Sequence, residues 1–460
     1  MPLIASRAAD SGFAFGFLNS SSLSYTSWFP SLVYGSAVGS DSCIDSSNNS
    51  YVTINFGVRT IVQKISVTGT IIWEKIVGTT GFDVVKSFIA LSSDETTLYL
   101  AQNTGRVNAA NWCVELNAIN TSNGNLSTTG YVYAITGRLS NLSSFRYNPN
   151  ATDGKKLSFV LTGYQTRSYS TMYSTSAFFV DPTNFASYRQ SVALGVNFVP
   201  SGYMTGSSAV TLAGGTTFMV VNSSANGFGI IGIDTSGNVT GSIKLQGTGD
   251  SIATNASGYA YYDFTTGNAQ IGIGKVSSGF AFQWANEISL TDSTGRYGTS
   301  ENKNVYVDSV GNVYCSTTFG NNSINKFIIV FKMNSSGVVQ WVKKIVSTYS
   351  QPTGGGLYVD SISGNADFLT ISGKFTEANS YAFGLTLKTN GSNIDGTYVG
   401  NSSTGNMIVS TPAYTVNYYS NLGSFGYIYD SSSTIDVAQT TNASSSTISV
   451  GVTPVLLPYS

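Results

Sequence analysis

A motif of fixed internal spacing recurs along this chain and limits its fold more than any other feature. Residues 43–56 read Cys-Ile-Asp-Ser-Ser-Asn-Asn-Ser-Tyr-Val-Thr-Ile-Asn-Phe, and residues 306–319 read Tyr-Val-Asp-Ser-Val-Gly-Asn-Val-Tyr-Cys-Ser-Thr-Thr-Phe. Laid together without a gap, Asp45 meets Asp308, Asn49 meets Asn312, Tyr51 meets Tyr314 and Phe56 meets Phe319. A third copy begins at Leu357 with Tyr-Val-Asp360-Ser and reaches Gly364-Asn365 after one inserted residue. Each copy predicts a short apolar strand, an Asp-Ser turn ending in Gly-Asn or Asn-Asn, and a second alternating strand.

The downstream half repeats as well. Lys64 precedes Trp73 by nine residues, and Lys275–Trp284 and Lys332–Trp341 keep that spacing, each with a glycine four or five residues before the tryptophan. This predicts a second hairpin with an aromatic near the middle of its last strand, and so a four-stranded antiparallel sheet per copy. Weaker copies run from Phe88 to the Asn123-Gly124 turn, from Leu157 to Asp181-Pro182, and from Phe218 to Ser236-Gly237, while the last ends at Lys388-Thr-Asn-Gly391. About seven units of roughly 40–60 residues result, the period of a β-propeller. No stretch carries convincing helical periodicity. The expected fold is all-β, a seven-bladed propeller of four-stranded antiparallel blades over residues 40–400. Residues 1–39 form an N-terminal assembly segment and residues 401–460 a β-rich C-terminal one.

The turn Asp-Ser-x-Gly-Asn-x-Tyr followed by Lys-x-x-x-Ser-Gly-x-x-x-Trp resembles the bacterial seven-bladed β-propeller (SBBP-type) repeat. The match is good over 43–77 and 305–345, and partial over 252–289 and 357–400. The resemblance implies a fold and a capacity for interaction, not a reaction, and carries over no catalytic residue. Asp367 stands where the Tyr is expected, and Asp395 where the Trp is expected.

Composition removes many chemistries. The 460 residues include no histidine, so His-based triads, His-ligated zinc and imidazole bases are excluded. With 22 basic and 23 acidic side chains the net charge is −1, which does not suit a nucleic-acid binder. Cys43, Cys113 and Cys315 are irregularly spaced and read as small buried hydrophobes. No apolar run is long enough to span a membrane, and the N-terminus lacks the pattern of a secretory signal.

Asp45, Asp308 and Asp360 offer one carboxylate per loop, too few for calcium, and are read as caps of their own turns. Trp73, Trp284 and Trp341 are read as packing between blades rather than as a glycan-stacking row, and Lys64, Lys275 and Lys332 as solvated. No motif places two carboxylates together for glycoside cleavage. No catalytic, cofactor-binding or metal residue is assigned, no cofactor is expected, and the binding residues stay unknown.

The neutral, Tyr-rich composition and the missing export signal suit a non-enzymatic virion structural protein of a bacteriophage, an external tail component or adhesin located in the virion. Its expected partners are other virion proteins, contacted through the apolar flanks 1–39 and 401–460, a host-surface glycan or receptor, and further copies of itself. The ring is expected to close without a strand from either flank, leaving Tyr414-Thr-Val-Asn-Tyr free to add to a partner sheet. The alternatives are a bacterial surface or secreted carbohydrate-binding propeller and, less favoured, a propeller enzyme.

Overall fold

The structure is a computed structural model. It describes residues 41–419 apart from stretches between strands (57–58, 68–69, 78–83, 109–110, 128–130, 136–138, 168–169, 195–203, 224–226, 237–238, 246, 267–269, 291–300, 322–323, 348–355, 377–379, 392–394 and 399–406), plus strand pieces nearer the ends. Every regular element among the described residues is a β-strand.

The alternating runs form antiparallel sheets in chain order. Sheet A holds β3 (Ala37–Val38), β4 (Ser42–Ile44), β5 (Ser50–Phe56), β6 (Arg59–Ile65) and β7 (Ile71–Val77), after β1 (Phe13–Ala14) and β2 (Ser27–Pro30). Sheet B holds β8 (Val84–Leu91), β9 (Thr97–Asn108), β10 (Asn111–Asn120) and β11 (Tyr131–Ile135). Sheet C holds β12 (Leu139–Tyr147), β13 (Leu157–Arg167), β14 (Ser170–Asp181) and β15 (Asn184–Leu194). Sheet D holds β16 (Met204–Thr211), β17 (Thr217–Ser223), β18 (Gly227–Ile233) and β19 (Val239–Leu245). Sheet E holds β20 (Ile252–Thr254), β21 (Tyr259–Phe264), β22 (Gln270–Ser277) and β23 (Phe282–Leu290).

The remaining sheet, F, has eleven strands in two antiparallel units. Unit F1 is β24 (Glu301–Val307), β25 (Val313–Asn321), β26 (Ile324–Met333) and β27 (Val339–Ser347). Unit F2 is β28 (Gly356–Gly364), β29 (Phe368–Thr376) and β30 (Ser380–Lys388). A single parallel bridge, Lys326 to Gly356, joins them. The later strands are β31 (Gly396–Tyr398), β32 (Met407–Ser410), β33 (Tyr414–Tyr419), β34 (Ala443–Thr447) and β35 (Val452–Pro454).

The first strands touch in a closed cycle: β4 against β8, β8 against β12, β12 against β16, β16 against β20, β20 against β24, β24 against β28, and β28 back against β4. Radial repetition of antiparallel sheets around a central channel is the propeller arrangement. The core follows from it. Each large apolar cluster is shared by two successive sheets, as where Tyr51 and Trp73 of A meet Leu98 and Ile119 of B, or Ile328 and Trp341 of F1 meet Leu357 and Leu385 of F2. Both faces of inner strands such as β21 and β22 are therefore buried, which explains the apolar content, whereas the outer strand β7 leaves Ile72 exposed.

First strands of neighbouring sheets do not share a ladder, so buried side chains satisfy their free N–H groups. The Asp41 carboxylate accepts from Ile89 N–H at 2.9 Å, Asn148 Oδ1 from Thr211 N–H at 3.1 Å, Ser251 Oγ from Val305 N–H at 3.2 Å and Thr318 Oγ1 from Val359 N–H at 2.9 Å.

The flanks depart from expectation. Unit F2 supplies only three strands of its own, and β2 from the N-terminal segment pairs with β30 to give the fourth, while β3 pairs with β5. Instead of adding to a partner, Tyr414–Tyr419 pairs along β23 of its own chain, from Leu290↔Tyr414 to Ala285↔Tyr419. β32 pairs with β27, β34 with β11 and β35 with β7. The physical reason is that each outer edge exposes a row of unpaired backbone groups, and the flanks lie within reach to satisfy them. The boundaries at 40 and 400 therefore do not separate the sheets from their flanks. The remainder of residues 1–39 and 401–460 lies outside the described residues.

Candidate functional site at the mouth of the central channel

The repeated motif builds clamps between sheets. Trp341 Nε1 donates to the Thr389 carbonyl at 3.1 Å, and Lys332 Nζ donates to that same oxygen at 3.2 Å. Trp73 and Lys64 share the Thr121 carbonyl at 2.9 and 3.3 Å, and Trp284 and Lys275 share that of Ser335 at 3.3 Å each. In each case the accepting turn belongs to the next unit round the ring. The inter-blade reading of the tryptophans holds. The lysines do not lie free in solvent: Lys64 keeps 14% of its side chain exposed, and Lys332 sits 5.1 Å above the Tyr314 ring. Burial lowers the pKa of Lys275, and also that of Lys332, which Asp308 partly offsets.

The turn aspartates complete the clamp. Asp45 accepts from Asn49 N–H at 2.8 Å, from Asn49 Nδ2 and from Tyr51 OH at 3.1 Å, with Lys64 Nζ 3.6 Å away. Asp308 repeats this with Asn312 and Tyr314 OH. Their oxygens are committed to these donors, and among the described residues no three His, Cys, Asp or Glu side chains gather as a metal site. Asp360 breaks the alignment. It lies inside β28, and Asn365 takes the turn position instead, accepting from Phe368 N–H at 2.9 Å. A bulge between Val359 and Ser361 shifts the register, so similar letters fall at different places. Asp395, where a Trp was expected, pairs with Lys343 Nζ at 2.9 Å and accepts from Thr411.

On the face that carries these first turns, the ends of all the first strands surround a cavity of about 380 Å³. Its wall includes Cys43, Phe145, Arg146, Tyr147, Asn150, Thr254, Tyr306 and Ser363. Arg146 is the one charged residue among those lining it. Asp41, the chain neighbour of the wall residue Ser42, is 4% exposed. Burial raises its carboxyl above the usual range, and the opposing pull of Arg146 does not outweigh that. Burial, aided by Asp41, Asp45 and Glu95, holds the Cys43 thiol well above its ordinary range, so it stays protonated. Cys43 is only half-buried, unlike Cys315, and the side chain of Cys113 lies outside the described residues. Burial, then Asp308, raises the Tyr306 phenol as well, which leaves it a hydrogen-bond donor.

Neither Arg146 nor Asp41 carries a signal in the sequence. Neither belongs to the repeat, and their neighbours come from strands far apart in the chain.

No family model matches the chain, and no curated protein does. Among solved structures, a virginiamycin B lyase from Staphylococcus aureus is similar at 14% identity and a TM-score of 0.46, covering 79% of this chain and 99% of that one. A streptogramin B lyase is similar at 11% identity and 0.43, covering 78% and 97%. The Dos1 propeller is similar at 10% identity and 0.42, covering 76% and 78%.

Proposed function

We propose that units F1 and F2 are separate blades, that the ring is a seven-bladed propeller of the SBBP-like type, and that it serves as a non-enzymatic structural and attachment component of a bacteriophage particle. The observation that carries the binding reading is the channel mouth. A lone cation lines it, and its one thiol is held protonated, so the wall favours holding a ligand over moving a proton. The neutral composition supports an external position on the particle. Contacts with other virion proteins are proposed at the rim, where 27–30, 407–410 and 414–419 already lie. The bacterial surface or secreted carbohydrate-binding reading draws on the same cavity and differs only in where the protein is found.

Immunogold electron microscopy of purified particles tests the assignment. Regular labelling of a tail or other external part is expected. Particles without label, together with label on the bacterial surface, would transfer the protein to the second reading. Host polysaccharide incubated with the protein should yield no new reducing ends, and depolymerisation would refute the non-enzymatic role.

A further inference from the structure

Arg146 is half-buried on the last turn-facing stretch of β12, and its guanidinium makes no hydrogen bond or close ion pair to another described residue, only a longer-range attraction to the buried Asp41. An arginine presents five N–H donors in a planar fork, a shape that matches a carboxylate through two parallel bonds. Its charge stands over a low-dielectric wall, where one ion pair counts for more than in water. The rest of the wall is mixed. Tyr147 and Tyr306 supply aromatic surface, and Ser363, Thr254 and Asn150 supply hydroxyl and amide groups. Tyr147 is braced by stacking on Tyr99 at 6.0 Å and 8°, and Tyr306 by Tyr314 at 5.7 Å. Ser363 Oγ lies 3.3 Å from Ser42 Oγ, so a hydroxyl pair edges the opening.

We infer that the channel mouth binds a single carboxylate-bearing sugar residue, a uronate-type ring at the end of a glycan, with Arg146 gripping the carboxylate. One cation matches one negative charge; a phosphate dianion calls for more. The tyrosine faces suit the apolar faces of a pyranose ring, and the hydroxyl and amide groups suit its ring hydroxyls. The cavity falls within the roughly 300–1,000 Å³ of small-ligand sites. This deepens the attachment reading, on which it rests for the origin of the glycan.

Calorimetric titration of the full chain with D-glucuronate, its methyl ester, D-glucose and inorganic phosphate tests the inference. Saturable binding of glucuronate is expected, at least about tenfold tighter than that of the other three. Arg146→Met should weaken glucuronate binding at least about tenfold while melting as the unaltered chain does. Absence of saturable binding, equal binding of the ester, or phosphate binding as tight as glucuronate would overturn it, as would undiminished binding by the variant. Should Arg146→Met fail to fold, the acid-against-ester comparison on the native chain decides alone. Glucuronate binding by a protein absent from particles would refute only the virion assignment, and labelled particles without uronate binding would refute only this inference.

Discussion

Trp341 and Gly391 make one contact across the boundary between F1 and F2. A methyl group added at Gly391 would lie 2.5 Å from Trp341 Cδ1, while the indole N–H donates to Thr389 two residues earlier. Gly391 has φ +69°, and the same pairing recurs where Gly337, at φ +84°, meets Trp284 and Gly124, at φ +72°, meets Trp73. The glycine that precedes Trp341 in its own repeat is thus the seat for the previous tryptophan. Only a residue without Cβ permits both the left-handed turn and the close approach.

Trp341→Ala is expected to destabilise the protein by about 3–5 kcal/mol, the range for emptying a large aromatic from a core. Trp341→Phe keeps an aromatic ring but loses part of the indole volume together with its donor, and should cost about 1 kcal/mol more than the packing change alone. Equilibrium denaturation of both variants checks the ordering.

Gly391→Ala should destabilise by about 1–3 kcal/mol through the positive φ and the clash with the indole. Because the two residues touch, the double variant Trp341→Ala/Gly391→Ala should lose less than the sum of the single losses. Strict additivity in a double-mutant cycle would show that the contact does not couple them.

The rim strand β33 is pinned by Tyr419 OH, which donates to the buried Glu287 at 2.7 Å, while Thr266 N–H donates to the same carboxylate at 3.0 Å. Tyr419→Phe should cost about 1.5–3 kcal/mol, as expected for a bond to a charged acceptor. The loosened strand should also be cut sooner in limited proteolysis than it is in the unaltered chain.

Burial raises the Asp41 carboxyl above its ordinary value of 3.8. Between that value and the raised one, the folded chain holds a proton that the unfolded chain has released. Stability therefore falls as pH rises through this window, opposite to a salt-bridged carboxylate. Asp41→Asn keeps an acceptor for Ile89 N–H and should flatten the slope in denaturation midpoints measured across mildly acidic pH. An unchanged slope would assign it to another group.

Removal of residues 1–30 deletes β2, the fourth strand beside β30. The shortened chain is expected to melt at lower temperature than the full chain, because Ser380–Lys388 then becomes an open edge. Equal melting would mean that β30 needs no cover.

Much of the ring was legible in the sequence because its signals are local. Alternation set the strands, Asp45 and Asp308 sat in the turns they cap, and the nine-residue step from Lys332 to Trp341 placed the clamp. Asp360 misled because letters alone do not show a bulge, and Lys332 misled because a lysine's surroundings are not local. What closes the ring was decided by the tertiary structure alone. Ser42 meets Ser361 across a separation of 319 residues, and β2 finds β30 because that edge, and not some other, lies beside it in space. The channel mouth is of the same kind. Arg146 and Asp41 become a site only where first strands from the whole chain converge, and no periodicity in sequence encodes which side chains will face one another across an axis.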